Sequence, residues 1–315
     1  MKRWISFLLV LALLPVVPAR AATIRWVDFG VPYESLKYAM EQDVASFEKE
    51  CHISWIDILA VAACRTGGRC GISSVRKAAD DLKGDKTPEE LLGNAARYFE
   101  YYHEAYEAVL GGLLGNYAIE KDGQWIAAYG LKAFSPVAAG YGYSHCDDFG
   151  VSRSFGFQRK HLGNDLMGGL GTPIVAVEGG VVEAMGWNRY GGWRIGIRSF
   201  DSKRYYYYAH LQKDHPFAAG LQEGDIVNAG DLIGFMGRTG YSDEENVNNI
   251  ETVHLHFGMQ LIFDESQKEC LSEIWIDVYD IVRLLSTHRS SLQRDSGSWR
   301  RVYPYQDLDV NELKK

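Results

Sequence analysis

The chain of 315 residues is short of positive charge: 33 Lys and Arg against 41 Asp and Glu leave a formal charge of −8. A chain of that sign carries no electrostatic footprint for nucleic acid. Cysteine is scarce as well. Cys51, Cys64, Cys70, Cys146 and Cys270 are the full set, and their spacings match no zinc module, so any metal ligands must come from other residues. After the first twenty residues no apolar run is long enough to span a bilayer, which excludes an integral membrane segment in the rest of the chain. No internal repeat is evident, which argues against a solenoid. A His-Glu-x-x-His segment is missing too, and with it the glutamate base of the proteases that carry one.

The opening residues "MKRWISFLLVLALLPVVPARAA" hold Lys2 and Arg3, an apolar stretch from Trp4 to Val17, and Ala19-Arg20-Ala21 as a small-x-small site. That is the pattern of a signal peptide over residues 1–21, cut after Ala21. The mature chain is expected to be exported, soluble and more acidic still. In that setting Cys64 and Cys70, separated by "RTGGR", are the expected disulfide pair.

A hydrophobic content of 46% is enough for packed cores, and two segments with different patterns follow. Over residues 22–116 the apolar spacing is helical. Leu36, Met40, Val44 and Phe47 form one stripe, "ISWIDILAVAAC" a second helix, and Thr87-Pro88-Glu89-Glu90 starts a third with a capping box. Residues 117–148 read as a linker. From residue 149 to 265 short strands alternate with glycine turns: "TPIVAV" with "VVEAMGW" as one hairpin, "WRIGIRSF" with "RYYYYAHL" as another. Residues 266–315 read as a C-terminal helical extension, with "EIWIDVYDIVRLLSTH" as its helix and a loop-like tail beyond Arg294. The expected class is α+β: an N-terminal all-helical domain, then an antiparallel β-sheet or sandwich domain with a C-terminal helix.

The histidines that could carry chemistry lie in the β segment. In "ETVHLHFGMQL" a strand sends His254 and His256 to one face and Val253, Leu255 and Phe257 to the other. Either histidine could bind a metal from that face. His161 stands four residues before Asp165, and His210 ends the tyrosine strand, where alternation puts Tyr206 and Tyr208 on its face. His52 and His103 read as structural, His215 and His288 as surface residues. One carboxylate and several imidazoles from neighbouring strands suit a Zn²⁺ that takes three protein ligands and keeps one position open.

"HLGND", "YAHL" and "HLH", in that order and framed by "GTPIVAVEGGVV" and "AGDLIGFMGRTG", resemble the lysostaphin-type zinc metalloendopeptidases of bacterial cell-wall turnover. The resemblance covers about residues 149–263. It implies a zinc metallopeptidase domain with His161, Asp165 and His256 as ligands of one Zn²⁺, and His210 and His254 as the unligated catalytic pair. Tyr208, which shares the His210 face by alternation, either lines the substrate cleft or packs in the core. The implied activity is hydrolysis of amide bonds in peptidoglycan stem peptides or cross-bridges, outside the membrane in the cell envelope. The alternatives are an inactive scaffold or activator of wall hydrolysis and an exported zinc peptidase acting on proteins. Two features depart from the family pattern. The acidic loop "YSDEENVNNIETV" is long, and a helical segment replaces a wall-binding module.

Overall fold

The computed structural model describes residues 24–84, 86–268 and 272–309. The expected signal peptide over residues 1–21, and Cys270, lie outside the described residues.

The helical segment is built round α2 (Trp55–Thr66). Nine of its residues are buried, as befits a helix that is apolar on all sides. Ser54 Oγ accepts from Ile56 N at 3.1 Å at its start, and Gly67, at φ 63°, closes its end. Around it pack α1 (Tyr33–Ser46), α3 (Ile72–Leu82), α4 (Pro88–Leu92) and α5 (Phe99–Leu110). Thr87 and Glu90 make the expected reciprocal cap on α4. The helix does not continue from there: Gly93 sits at φ 53°, and a tight 3-10 turn leads into α5. The apolar stripe expected on α1 also shifts. Val44 and Phe47 stay more than a third exposed while Asp43 is buried, because its carboxylate accepts from Trp55 N, His52 Nε2 and Tyr129 Oη, each at 2.8 Å.

The principal sheet is antiparallel. Its order is Ile226–Val227, Gly180–Asn188, Gly192–Ser199, Arg204–Ala209, His254–Leu261, Asn164–Met167 and Ser144–His145. Ile274–Ile276 pairs with the far end of His254–Leu261. The tyrosine hairpin forms as expected. The other does not: Pro173–Val175 pairs with Leu232–Phe235, while Gly180–Asn188 pairs with Gly192–Ser199. The chain changes sheets at Glu178, whose carboxylate is held by Arg204 and Tyr206.

Residues 117–148 are not a plain linker. Leu114–Lys121 and Gln124–Leu131 form a hairpin turning at Asp122-Gly123, both with positive φ, and Tyr305–Asp307 adds a third strand to it. The C-terminal region differs from the expected single helix in the same way. It runs as the strand Ile274–Ile276, α6 (Tyr279–Leu285), then a hairpin of Leu292–Asp295 with Ser298–Arg301. His288 is not a surface residue: its Nδ1 donates to Ala133 O at 2.7 Å and its ring stacks on Phe134. Cys64 and Cys70 are buried free thiols rather than a disulfide, with Cys70 Sγ set against Leu59 O and Tyr106 Oη.

One hydrophobic core runs through both segments, from Val31 and Leu36 through Tyr106 and Leu113 to Phe257 and Leu285. Arg204, 1% exposed, pins the junction. It forks onto Glu178 at 2.8 and 3.1 Å, reaches Asp201 at 2.7 Å, and donates to Ala108 O in the last turn of α5 at 2.8 Å. Gly112, just past that helix, lets the pair in: a Cβ there would sit 1.8 Å from Glu178 Oε1.

Candidate metal centre and cleft

Pairing register brings the site together. His256 lies directly across from Asp165 on one neighbouring strand and from Ala209 on the other. Paired residues in a sheet share a face, so Asp165, His256 and, two residues on, His254 point the same way. His161 precedes this strand and turns back onto it, leaving His161 Nε2 2.7 Å from His256 Nδ1 and 3.1 Å from Asp165 Oδ1. His256 Nδ1 is 3.3 Å from the same oxygen. A glycine is required beside them: a Cβ on Gly163 would meet His256 Cε1 at 2.8 Å and Phe257 O at 2.6 Å.

The donor set suits a divalent transition metal. His161 Nδ1 faces the carbonyl of Asp148 at 3.0 Å. A carbonyl only accepts, so that nitrogen carries the proton and Nε2 turns a lone pair towards the other two donors. Two ligands of a tetrahedral zinc sit roughly 3.3 Å apart. Separations of 2.7, 3.1 and 3.3 Å therefore fit one ion shared by His161, Asp165 and His256, whose donor atoms all lie within 4.8 Å of one another.

His210 and His254 form the second half of the site, with ring centres 4.7 Å apart. The same tautomer logic applies to both: His210 Nδ1 donates to Thr239 O at 2.8 Å, and His254 Nδ1 to Thr252 O at 2.9 Å. Each therefore offers an unprotonated Nε2, and that of His254 is 3.8 Å from Asp165 Oδ1. Burial, reinforced by the His254 and His256 rings, pushes His210 well below the ordinary histidine range. Burial lowers His256 as well. Asp165 goes the other way from what burial would dictate. Its hydrogen bonds with His161 and His256 outweigh desolvation and hold it well below the usual carboxylate range.

Tyr208 needs a correction. It is fully buried, its hydroxyl accepting from Val177 N at 2.9 Å, and the tyrosines of its own strand that line the cleft are Tyr205 and Tyr207. Strict alternation fails because His210 lies beyond the strand end in the left-handed region, φ 61°. That turn swings its ring to the face opposite Tyr206 and Tyr208.

The five histidine and aspartate positions open on one cavity of about 470 Å³. Its other walls include Arg153, Arg159, Tyr190, Tyr241 and Trp275, none of them evident as site residues in the sequence. The hairpin Ser152–Phe155 with Phe157–Lys160 supplies both arginines, which are paired across it around Gly156; "SRSFGFQRK" carries that turn signal. The acidic loop contributes Tyr241 to the cavity. Its Asn246 instead accepts from Trp193 Nε1 and Asp214 N, tying the loop down.

Residues 159–268 match the model of Peptidase family M23. This stretch is an M23 peptidase domain. The M23 domain is similar to the L-Ala--D-Glu endopeptidase of Bacillus subtilis (strain 168), 42% identical over 130 residues, which are 41% of this chain and 38% of the relative. Lysostaphin of Staphylococcus simulans is 32% identical over 139 residues, 44% of this chain and 23% of its own length. The chain thus spans under two fifths of these curated relatives. Among solved structures, a chain from Ruminococcus gnavus ATCC 29149 is 24% identical, with 82% of this chain and 98% of that chain covered and a TM-score of 0.49. The catalytic domain of lysostaphin from Staphylococcus simulans is 29% identical, with 45% and 92% covered and a TM-score of 0.34. Asp148 and Arg153, which contact His161 and Asp165, lie outside the matched M23 stretch.

Proposed function

We propose that this protein is a zinc-dependent endopeptidase that hydrolyses amide bonds in the stem peptides or cross-bridges of peptidoglycan, exported by the signal sequence at residues 1–21. The observation that carries the proposal is the division of one histidine face inside an M23 domain. His161, Asp165 and His256 converge on a point, while His210 and His254 stand beside them with free Nε2 atoms. His161, Asp165 and His256 would hold a zinc ion, which when bound would supply the Lewis acid for a scissile carbonyl.

The chain's own groups do the rest. His210, held neutral by burial and the neighbouring imidazoles, keeps a lone pair available for the proton of an attacking water. His254 stands beside it and donates from Nε2 to the oxyanion that develops on the substrate, using the proton that the pair takes from the water and finally passes to the leaving amine. Thr239 O and Thr252 O fix both tautomers throughout. One relative is named for cleavage at L-Ala–D-Glu and another, from Staphylococcus capitis, as a glycyl-glycine endopeptidase, which supports a wall peptide as substrate.

The test is zinc content together with digestion of purified peptidoglycan by the full mature chain, with His161→Ala as control. One zinc per chain and new amine termini, both lost in the control, support the proposal. A protein that binds wall without cutting it is a scaffold, and one that cuts casein but not wall is a general peptidase.

A further inference from the structure

The cleft holds a guanidinium with an unspent donor. Arg159 lies between two aromatic faces, its Cζ 4.8 Å from the ring centre of Tyr190 and 5.1 Å from that of Tyr241. Its Nη2 donates to Tyr241 Oη at 3.0 Å. Its Nη1 is buried and has no hydrogen-bond partner among the described residues. Stacking of this kind fixes the plane of an arginine while leaving its charge uncompensated. A buried N–H of a charged group left unpaired is costly, and a site that keeps one usually has an external partner for it.

The carboxylates nearby are committed elsewhere. Asp165 is held by Arg153 and the histidines, Glu183 by Lys268 and Arg198, and Glu273 accepts from Trp275 Nε1. Arg159 has no ion pair among the described residues, and Lys160 beside it lines the same cavity. The position relative to the chemistry is fixed through Tyr241, whose ring centre is 5.9 Å from that of His210. Arg159 is therefore one ring away from the proposed proton-transfer pair.

We propose that Arg159 is a specificity-determining residue that receives a carboxylate of the substrate peptide close to the scissile amide, so that the enzyme selects acidic over amidated peptides. The inference deepens the peptidase reading and rests on it. Nη1 and the second N–H of Nη2, whose first is taken by Tyr241, can give two parallel bonds to a planar carboxylate, and a neutral carboxamide cannot offer them two acceptors. Discrimination by one charge-assisted contact of this kind is roughly tenfold to a hundredfold.

Two stem peptides that differ at one group provide the test: one with D-glutamate bearing a free α-carboxylate, the other with the α-carboxamide. Early binding is read by stopped-flow tryptophan fluorescence, using Trp275 in the cleft wall, and kcat/KM is read by release of amine termini. Wild type is expected to favour the carboxylate peptide at least tenfold in both. Arg159→Gln should bring the ratio close to one, and Arg159→Lys, which keeps charge without the fork, should restore only part of it. Circular dichroism melting checks that both variants fold. Hydrolysis of both peptides at equal efficiency by wild type overturns the inference and leaves the peptidase reading standing. A carboxylate preference in binding with no hydrolysis does the reverse, and a wild type that binds neither peptide overturns the inference.

Discussion

Arg153 and Asp165 meet on the side of the carboxylate turned away from the histidines: Arg153 Nη2 is 3.1 Å from Oδ2, while Oδ1 faces His161 and His256. The same guanidinium nitrogen also holds Asp148 at 2.6 Å. A carboxylate with one oxygen occupied in this way presents the other to a metal in a single orientation.

Arg153→Gln should therefore weaken zinc binding roughly tenfold to a hundredfold without removing any ligand. Competition against a chelating dye measures it, and an unchanged affinity would show that Asp165 is oriented by its strand alone.

The two kinds of histidine should separate cleanly. His161→Ala and His256→Ala should lose zinc. His210→Ala and His254→Ala should keep one zinc per chain and lose at least a hundredfold in turnover. Metal analysis beside peptidoglycan digestion reads both, and loss of zinc in His254→Ala would mean that the division of roles along the strand is wrong.

Acid sensitivity should trace in part to His145. Both its ring nitrogens are buried without hydrogen-bond partners among the described residues, and it lies against Tyr279. Burial, with the charge of Arg283, lowers its pKa to about 4. Below its ordinary value near 6.5 the unfolded chain takes up a proton that the folded chain refuses. Stability is lost as pH falls from there to about 4, by at most about 3 kcal/mol. His145→Phe keeps the ring contact and removes the titration. Its melting temperature should gain on wild type as pH drops from 7 to 4.5, and parallel curves would refute the assignment.

Arg204→Met should destabilise the whole molecule by about 3–5 kcal/mol, because it leaves Glu178 buried without its counter-charge. Helical and sheet signals should melt together in urea, since Arg204 and the shared core join the two segments. Two separate transitions would contradict the single core.

Much of the site was legible because its pattern is local. His254 and His256 share a face by strand period alone, and "HLGND" and "YAHL" add the remaining donors. The aim of His210 was not legible, since a positive φ just past a strand leaves no mark in alternation. Fold errors came from pairing and from missed turns. Pro173–Val175 looks like half of a local hairpin but pairs with distant Leu232–Phe235. The supposed linker carried a usable signal, Asp122-Gly123, between two runs that do pair. Arg159 was hidden for another reason: its meaning comes from Tyr190 and Tyr241, far from it in the chain.

Gly163 has no donor atom, yet the ring of His256 occupies the space where a side chain would be. A survey of sequences that tallied only imidazoles and carboxylates would accept a chain with alanine there and misjudge it. The inventory of a candidate metal centre has to include the vacancy that admits its donors, and here that vacancy is a residue between His161 and Asp165.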